Sequence, residues 1–274
     1  MKKILFLCDG DNFPKGAFEL IKMINSAHRV MVKGIFFAPI DFQQLINLSY
    51  IPIAKPYIEL EENEKRLVNE SKKKFITECE SNHIAYTINT EAEEWDRELM
   101  IKETLFADIL VISEELFCSD VMSYQPNAYM KELLHGSECP AMVVPENFKA
   151  PERIVVAYDG KKESVLALKQ FCYLFPELTE LPTEFVYIKN EKNNDIPNQG
   201  LLKEYTKIHF NSPGVEKLHF EPKEYFTTWA ETKKNILLIT GSYGRSAVSD
   251  LMHRSFAEEV IHEHKIPLFI AHHT

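Results

Sequence analysis

Two stretches of this sequence carry residue types that could hold an anionic ligand. The first, from Thr240 to Ser255, reads TGSYGRSAVSDLMHRS and lies between the apolar run NILLI and FAEEVIHEHK, whose spacing predicts a helix. Gly241 and Gly244 permit tight turns and close approach of backbone N–H groups to an anion. The helix that follows would aim its positive end at the same place. Ser255 opens Ser255-Phe256-Ala257-Glu258, a capping-box pattern, so its hydroxyl can start that helix and also face a phosphate. The second stretch is Asp159-Gly160, after the run RIVVAY. A carboxylate there could accept hydrogen bonds from a ribose or hold a cation beside phosphates, or it could simply close a turn. Asp9 has the same setting in LFLCDG.

Other chemistries find less support. His253, His262, His264, His272 and His273 gather near the end of the sequence, but His262 and His264 are two apart on an expected helix and face different ways. No HExxH, GxSxG or phosphate-loop lysine signature occurs, and nothing points to nucleophilic catalysis. We therefore expect no metal site and no catalytic residue.

The elements that position these residues are written twice. KILFLCDG (3–10) matches RIVVAYDG (153–160), DILVIS (108–113) matches NILLIT (235–240), and CPAMVV (139–144) matches IPLFIA (266–271). Asp9 and Asp159 are 150 positions apart, whereas Pro140 and Pro267 are 127 apart, so the first repeat is longer by 23 residues. The proline-bearing, rather apolar stretch near 39–62 is the expected insertion, packing over the sheet in preference to binding a partner. In the first repeat, strands are predicted near 3–8, 30–37, 83–89, 108–113 and 140–144, with helices near 15–27, 62–81, 93–106 and 127–136. In the second, strands are predicted near 153–158, 183–188, 215–220, 235–240 and 266–271, with helices near 162–175, 200–210, 222–233 and 255–265. Runs such as ILFL and NILLI suit parallel strands buried on both faces, with helical crossovers. Each repeat should be a doubly wound α/β domain that binds ligands beyond the carboxyl ends of its strands. The domains are expected at 1–146 and 151–274, with the linker between Pro145 and Pro151.

The net charge of −10 argues against a general nucleic-acid or anionic-membrane binder. No run approaches the ~20 apolar residues of a membrane span. The apolar stretch after Lys2-Lys3 ends at Asp9, too soon for a signal-peptide core. Five widely spaced cysteines without a CxxC pair suit reduced thiols, and a cytoplasmic location is expected.

An aspartate after the first strand, then Gly241-x-x-Gly244, nine residues, and Arg254-Ser255 after the fourth strand resembles the universal stress protein family. The resemblance spans both repeats, is better in the second, and includes SFAEEVIHEHKIPLFIA as the last helix and strand. It implies the adenine nucleotide alpha hydrolase-like fold, with two five-stranded parallel sheets in tandem. It also implies an intrachain pseudo-dimer joined through the last strands, ending near Val144 and Ala271, and it leaves a homo-oligomer open. In the ATP-binding branch, Asp159 would face the ribose or metal side, while Gly241, Gly244 and Ser255 would surround the phosphates of ATP with Mg. Arg254 replaces the third glycine of the pattern. Its bulk could obstruct the phosphate, the reading we favour, or its guanidinium could replace a backbone donor. In the first repeat, Gly241 corresponds to Glu114, Gly244 to Phe117, Arg254 to Asn127 and Ser255 to Ala128, and the acidic Glu114-Glu115 pair opposes anion binding.

The expected function is a non-catalytic cytoplasmic stress-response protein with weak adenine-nucleotide binding in the second domain. One alternative is a scaffold that binds no nucleotide. The other is an ATP-hydrolysing or adenylyl-transfer enzyme, for which no base, carboxylate pair or clamping lysine is identifiable.

Overall fold

Apolar runs become buried strands, and the amphipathic segments between them become the helices that cover those strands. The computed structural model describes residues 1–10, 13–38, 54–89, 96–117, 128–188, 195–218, 229–230, 232–241 and 266–271. The first repeat runs β1 (Lys2–Cys8), α1 (Lys15–Ala27), β2 (Val30–Phe36), α2 (Ala54–Ser81), β3 (Ala85–Ile88), α3 (Arg97–Thr104), β4 (Ile109–Ser113), α4 (Glu114–Phe117), α5 (Ala128–Gly136) and β5 (Ala141–Val144). The second runs β6 (Arg153–Ala157), α6 (Lys162–Leu174), a 3-10 turn (Pro176–Glu180), β7 (Thr183–Ile188), α7 (Gln199–His209), β8 (Pro213–Leu218), β9 (Ile236–Gly241) and β10 (Leu268–Ala271).

The ten strands among the described residues form one sheet in the order β3-β2-β1-β4-β5-β10-β9-β6-β7-β8. Neighbours within each repeat are parallel. The repeats meet where β10 pairs antiparallel with β5, Leu268 opposite Val143 and Ile270 opposite Ala141. Each repeat is thus a doubly wound α/β unit with a five-stranded parallel sheet, and its last strand finds a partner instead of an exposed edge. Alternation along β1 sends Ile4, Phe6 and Cys8 to one face with α1 and α2, and Leu5 and Leu7 to the other with α3 and α5. Strand order reverses between β1 and β4, and between β6 and β9, which opens a crevice at the carboxyl end of each pair.

The longest departure from the sequence-based expectation is α2, which begins at Ala54 instead of near 62. Pro56 is its third residue, in the first turn, where a missing N–H costs no helical hydrogen bond. Part of the inserted stretch is therefore helix. The helices expected near 222–233 and 255–265 lie outside the described residues, apart from helical Trp229 and Ala230.

The linker is fastened at both ends. Glu146 accepts a hydrogen bond from Gly16 N at 3.2 Å, filling the start of α1, which Pro14 leaves without a side-chain cap. Glu152 N donates to Asn235 O at 2.8 Å, and the Asn235 amide returns a bond to the Glu152 carboxylate at 2.6 Å.

Both repeats also carry a carboxylate between two cations beside their first two strands, with a cation on the first strand in each and the charge on the second strand reversed. In the first, Glu103 on α3 meets Lys33 of β2 and, at 4.0 Å, Lys3 of β1. In the second, Glu184 of β7 meets Arg153 of β6 at 2.5 Å and Lys233 at 3.0 Å. Glu184→Gln would leave both cations facing an uncharged amide. The expected loss is about 1–2 kcal/mol, below the ~3–5 kcal/mol of a fully buried pair because both cations keep contact with water. A urea unfolding midpoint unchanged by the substitution would refute this.

Candidate functional site

In the second repeat, the crevice lies where β6 and β9 end side by side, with Val156 opposite Ile239. Asp159 stands two residues past β6, and Gly241 is the last residue of β9. The Asp159 carboxylate accepts a hydrogen bond from Lys161 N at 2.9 Å, closing a turn that leads directly into α6. Gly160 has φ +78°, a left-handed conformation suited to glycine, and a Cβ there would lie 2.5 Å from that of Pro197. The Tyr158 hydroxyl donates to Pro197 O at 2.9 Å, fixing the 195–198 segment over the turn. Burial pushes the Tyr158 phenol up, so it remains a neutral donor.

Gly241 serves a neighbour that its sequence position does not reveal. A Cβ on it would meet the backbone of Glu163 and Ser164 at 2.7 Å. The missing side chain therefore admits the first turn of α6 onto the end of β9. That turn has no side-chain cap on Lys161 and presents Lys161 and Lys162 to solvent beside Asp159. The arrangement is an acidic group and a positive helix start at one strand-end crevice, suited to an anionic ligand with hydroxyls. Gly244, Arg254 and Ser255 lie outside the described residues, as do His253, His262, His264, His272 and His273.

The first repeat is built differently at the same place. Asp9 and Glu114 each stand three residues beyond the paired Phe6 and Val111, so two acidic residues mark adjoining strand ends. β4 passes straight into α4, where Ser113 Oγ accepts a hydrogen bond from Leu116 N at 3.1 Å. Gly10, φ +87°, lies under α2, where its Cβ would come within 2.6 Å of Val68 Cγ2, and Ser71 Oγ donates to Gly10 O at 3.2 Å. Carboxylates at the crevice and a helix across the turn make this end unsuited to phosphate.

Three thiols are removed from chemistry by burial, which pushes Cys79 and Cys139 up to about 12 and Cys172 to about 11. They stay protonated at neutral pH and are poor nucleophiles. Among the described residues, no cluster of three His, Cys, Asp or Glu could hold a metal ion, and no helix is long and apolar enough to cross a membrane.

Sequence reasoning missed three features: the Pro197 cover, Glu146 at the start of α1, and the contact of Gly241 with α6. Each joins residues far apart in the chain, and only the Asp-Gly pairs left a local signal.

No family model matches the chain. A universal stress protein of Synechocystis sp. is 21% identical over 285 residues, covering 98% of this chain and 99% of that protein. A universal stress protein of Archaeoglobus fulgidus superposes with a TM-score of 0.66 at 15% identity, covering 99% of this chain and 96% of the other. For a putative universal stress protein of Pseudomonas aeruginosa the TM-score is 0.61 at 10% identity, with 99% and 93% covered. The resemblance to universal stress proteins therefore extends through both repeats, in sequence and in fold.

Proposed function

For a chain that resembles the universal stress proteins from end to end, we propose a non-catalytic, cytoplasmic stress-response role in which the second of two domains, 151–274, weakly binds an adenine nucleotide. The first domain, 1–146, binds none and completes the pseudo-dimer. One observation carries the nucleotide reading: Asp159 and the start of α6 meet at the end of β9 in the second repeat. In the first repeat the same place holds Asp9 and Glu114.

The described residues fit the ligand in charge more than in space. Lys161, Lys162 and the α6 start complement phosphate, and Asp159 complements a ribose hydroxyl or Mg. The space at Gly241 is occupied by α6, which leaves Gly241 no room for a phosphate contact of its own, and Arg254 stands where the pattern has its third glycine. Weak affinity follows from both.

The test is calorimetric titration with Mg-ATP after removal of co-purified nucleotide. Asp159→Asn keeps an oxygen for Lys161 N and removes the charge. We expect at least about tenfold weaker binding, the loss of one charge-assisted contact worth ~1.4 kcal/mol or more. Arg254→Gly should tighten binding. No heat with either the wild type or Arg254→Gly would replace this reading with the scaffold reading.

A further inference from the structure

We propose that Tyr158 is a positioning residue of the second crevice, tying the 195–198 segment down so that Asp159 is set for its ligand. This role rests on the nucleotide reading above. Pro197 grips both neighbours of Asp159. Its carbonyl accepts the Tyr158 hydroxyl at 2.9 Å. Its ring packs on Gly160, where an added Cβ would lie 2.5 Å from Pro197 Cβ and 2.9 Å from Pro197 Cγ. Held on either side, Asp159 keeps the turn in which its carboxylate meets Lys161 N.

The gripping segment depends on its surroundings for its shape. Asn198 has φ 53°, a left-handed conformation that a residue with a side chain keeps only where its neighbours enforce it. Ile196 anchors the segment from below, buried in one core cluster with Tyr158, Tyr187 and Leu202. The chain then enters α7, with Gln199 N donating to Ile196 O at 3.2 Å and Leu202 N to Asn198 O at 2.9 Å. The Tyr158 hydroxyl supplies the polar tie between this segment and the end of β6.

The first repeat covers the same turn by other means. Cys8 stands in the place of Tyr158 there. Gly10, at φ +87°, lies under the body of α2, with Val68 against it and Ser71 Oγ donating to Gly10 O at 3.2 Å. A 28-residue helix packed on its sheet needs no hydroxyl from the strand to keep its place. A short segment leading into a helix does. The tyrosine therefore stands in the repeat whose crevice suits an anionic ligand.

The experiment compares the full chain with Tyr158→Phe, which keeps the ring in the core and removes only the hydroxyl. Tyr205→Phe is the comparator, since it removes a buried phenol oxygen about two turns along α7 from Asn198. The first readout needs no nucleotide: the exchange rate of the Lys161 amide, followed by NMR. We expect it to rise at least about fivefold in Tyr158→Phe, the worth of one neutral hydrogen bond, and to stay within about twofold in Tyr205→Phe. An unchanged rate in Tyr158→Phe, or an equal rise in Tyr205→Phe, would overturn the proposal. The second readout is Mg-ATP affinity, at a temperature where unfolding curves find every variant folded, so that lost stability alone does not move it. Tyr158→Phe should weaken binding about fivefold with Asp159 in place, and less than about twofold in an Asp159→Asn background. Equal losses in the two backgrounds, or no loss in the first, would also overturn it. A wild type that gives no heat would sink the nucleotide reading alone, and the Lys161 rate would then decide whether the tie holds.

Discussion

Valine at position 241 is expected to lower the stability of the protein by about 3 kcal/mol, at the upper end of overpacking costs, and to weaken ligand binding at the second crevice with it. The first added carbon would lie 2.7 Å from Glu163 C and Ser164 N and 2.9 Å from Glu163 O, all of them backbone atoms. No rotamer relieves that contact, so α6 must move off β9. α6 holds Ala167, Leu168 and Phe171 in the core, and Phe171 meets Phe269 of β10 edge-on at 5.3 Å, so moving the helix also opens the core beneath it. The same shift carries the Asp159–Lys161 turn away from the end of β9, because α6 begins at the next residue. Stability and binding should therefore fall together, unlike the Asp159→Asn variant, where binding falls alone. Gly200→Ala is the control: nothing lies within 4 Å of the added carbon, and a residue in the first turn of α7 gains helix propensity. Chemical unfolding curves of the two variants, together with Mg-ATP titrations, check the pair. A Gly241→Val protein as stable as the wild type would mean that α6 does not bear on β9.

The tandem organisation and strand order were legible because repetition and apolar runs are local signals. KILFLCDG and RIVVAYDG declare two first strands, and the buried central runs of β1, β4, β6 and β9 leave little alternative to a parallel sheet covered on both faces. What escaped was set at long range. Whether Gly241 makes room for a phosphate or for a helix depends on Glu163 and Ser164, 78 and 77 residues earlier in the chain. Asp-Gly announces a turn, but the Asp159 bond to Lys161 N is seen only once the turn is built. Pro56 suggested a break between strand and helix, yet a proline in the first turn is compatible with the helix that forms. The exchanged charges around Glu103 and Glu184 become a pattern only after strand order places Lys33 and Glu184 at matching positions on β2 and β7. Residues that act through distant contacts carry no spacing that a sequence can display.

Phe75→Ala should cost about 3–5 kcal/mol, the range for emptying an aromatic site in a closed core, and the loss should be felt across both repeats. Phe75 is fully buried on α2. It stacks on Phe6 at 5.6 Å and meets Phe36, Tyr86 and Phe18 edge-on at 5.4, 5.7 and 6.2 Å. Removing the central ring deprives β1, β2, β3 and α1 of a shared contact, and four surrounding aromatic rings cannot collapse to fill it. The reach of the damage depends on the seam. If the first repeat opened alone, β10 would lose its ladder to β5, and Phe269 and Ile270, now buried, would face water. Across the same boundary, Lys2 of β1 lies 5.4 Å over the Phe175 ring and 3.9 Å from Glu177, which also meets His28 at 3.3 Å. Opening one repeat therefore exposes apolar surface and strands charges on the other, which favours joint unfolding of the two repeats. Native-state hydrogen exchange separates the cases, since amides of β6 and β7 report on the second repeat alone. We expect Phe75→Ala to accelerate their exchange by the same two to four orders of magnitude, roughly, as those of β1 and β2, the factor that corresponds to ~3–5 kcal/mol. Acceleration confined to β1 and β2 would mean that the sheet is continuous in hydrogen bonding but divided in cooperativity, with the β5–β10 ladder as the line of separation.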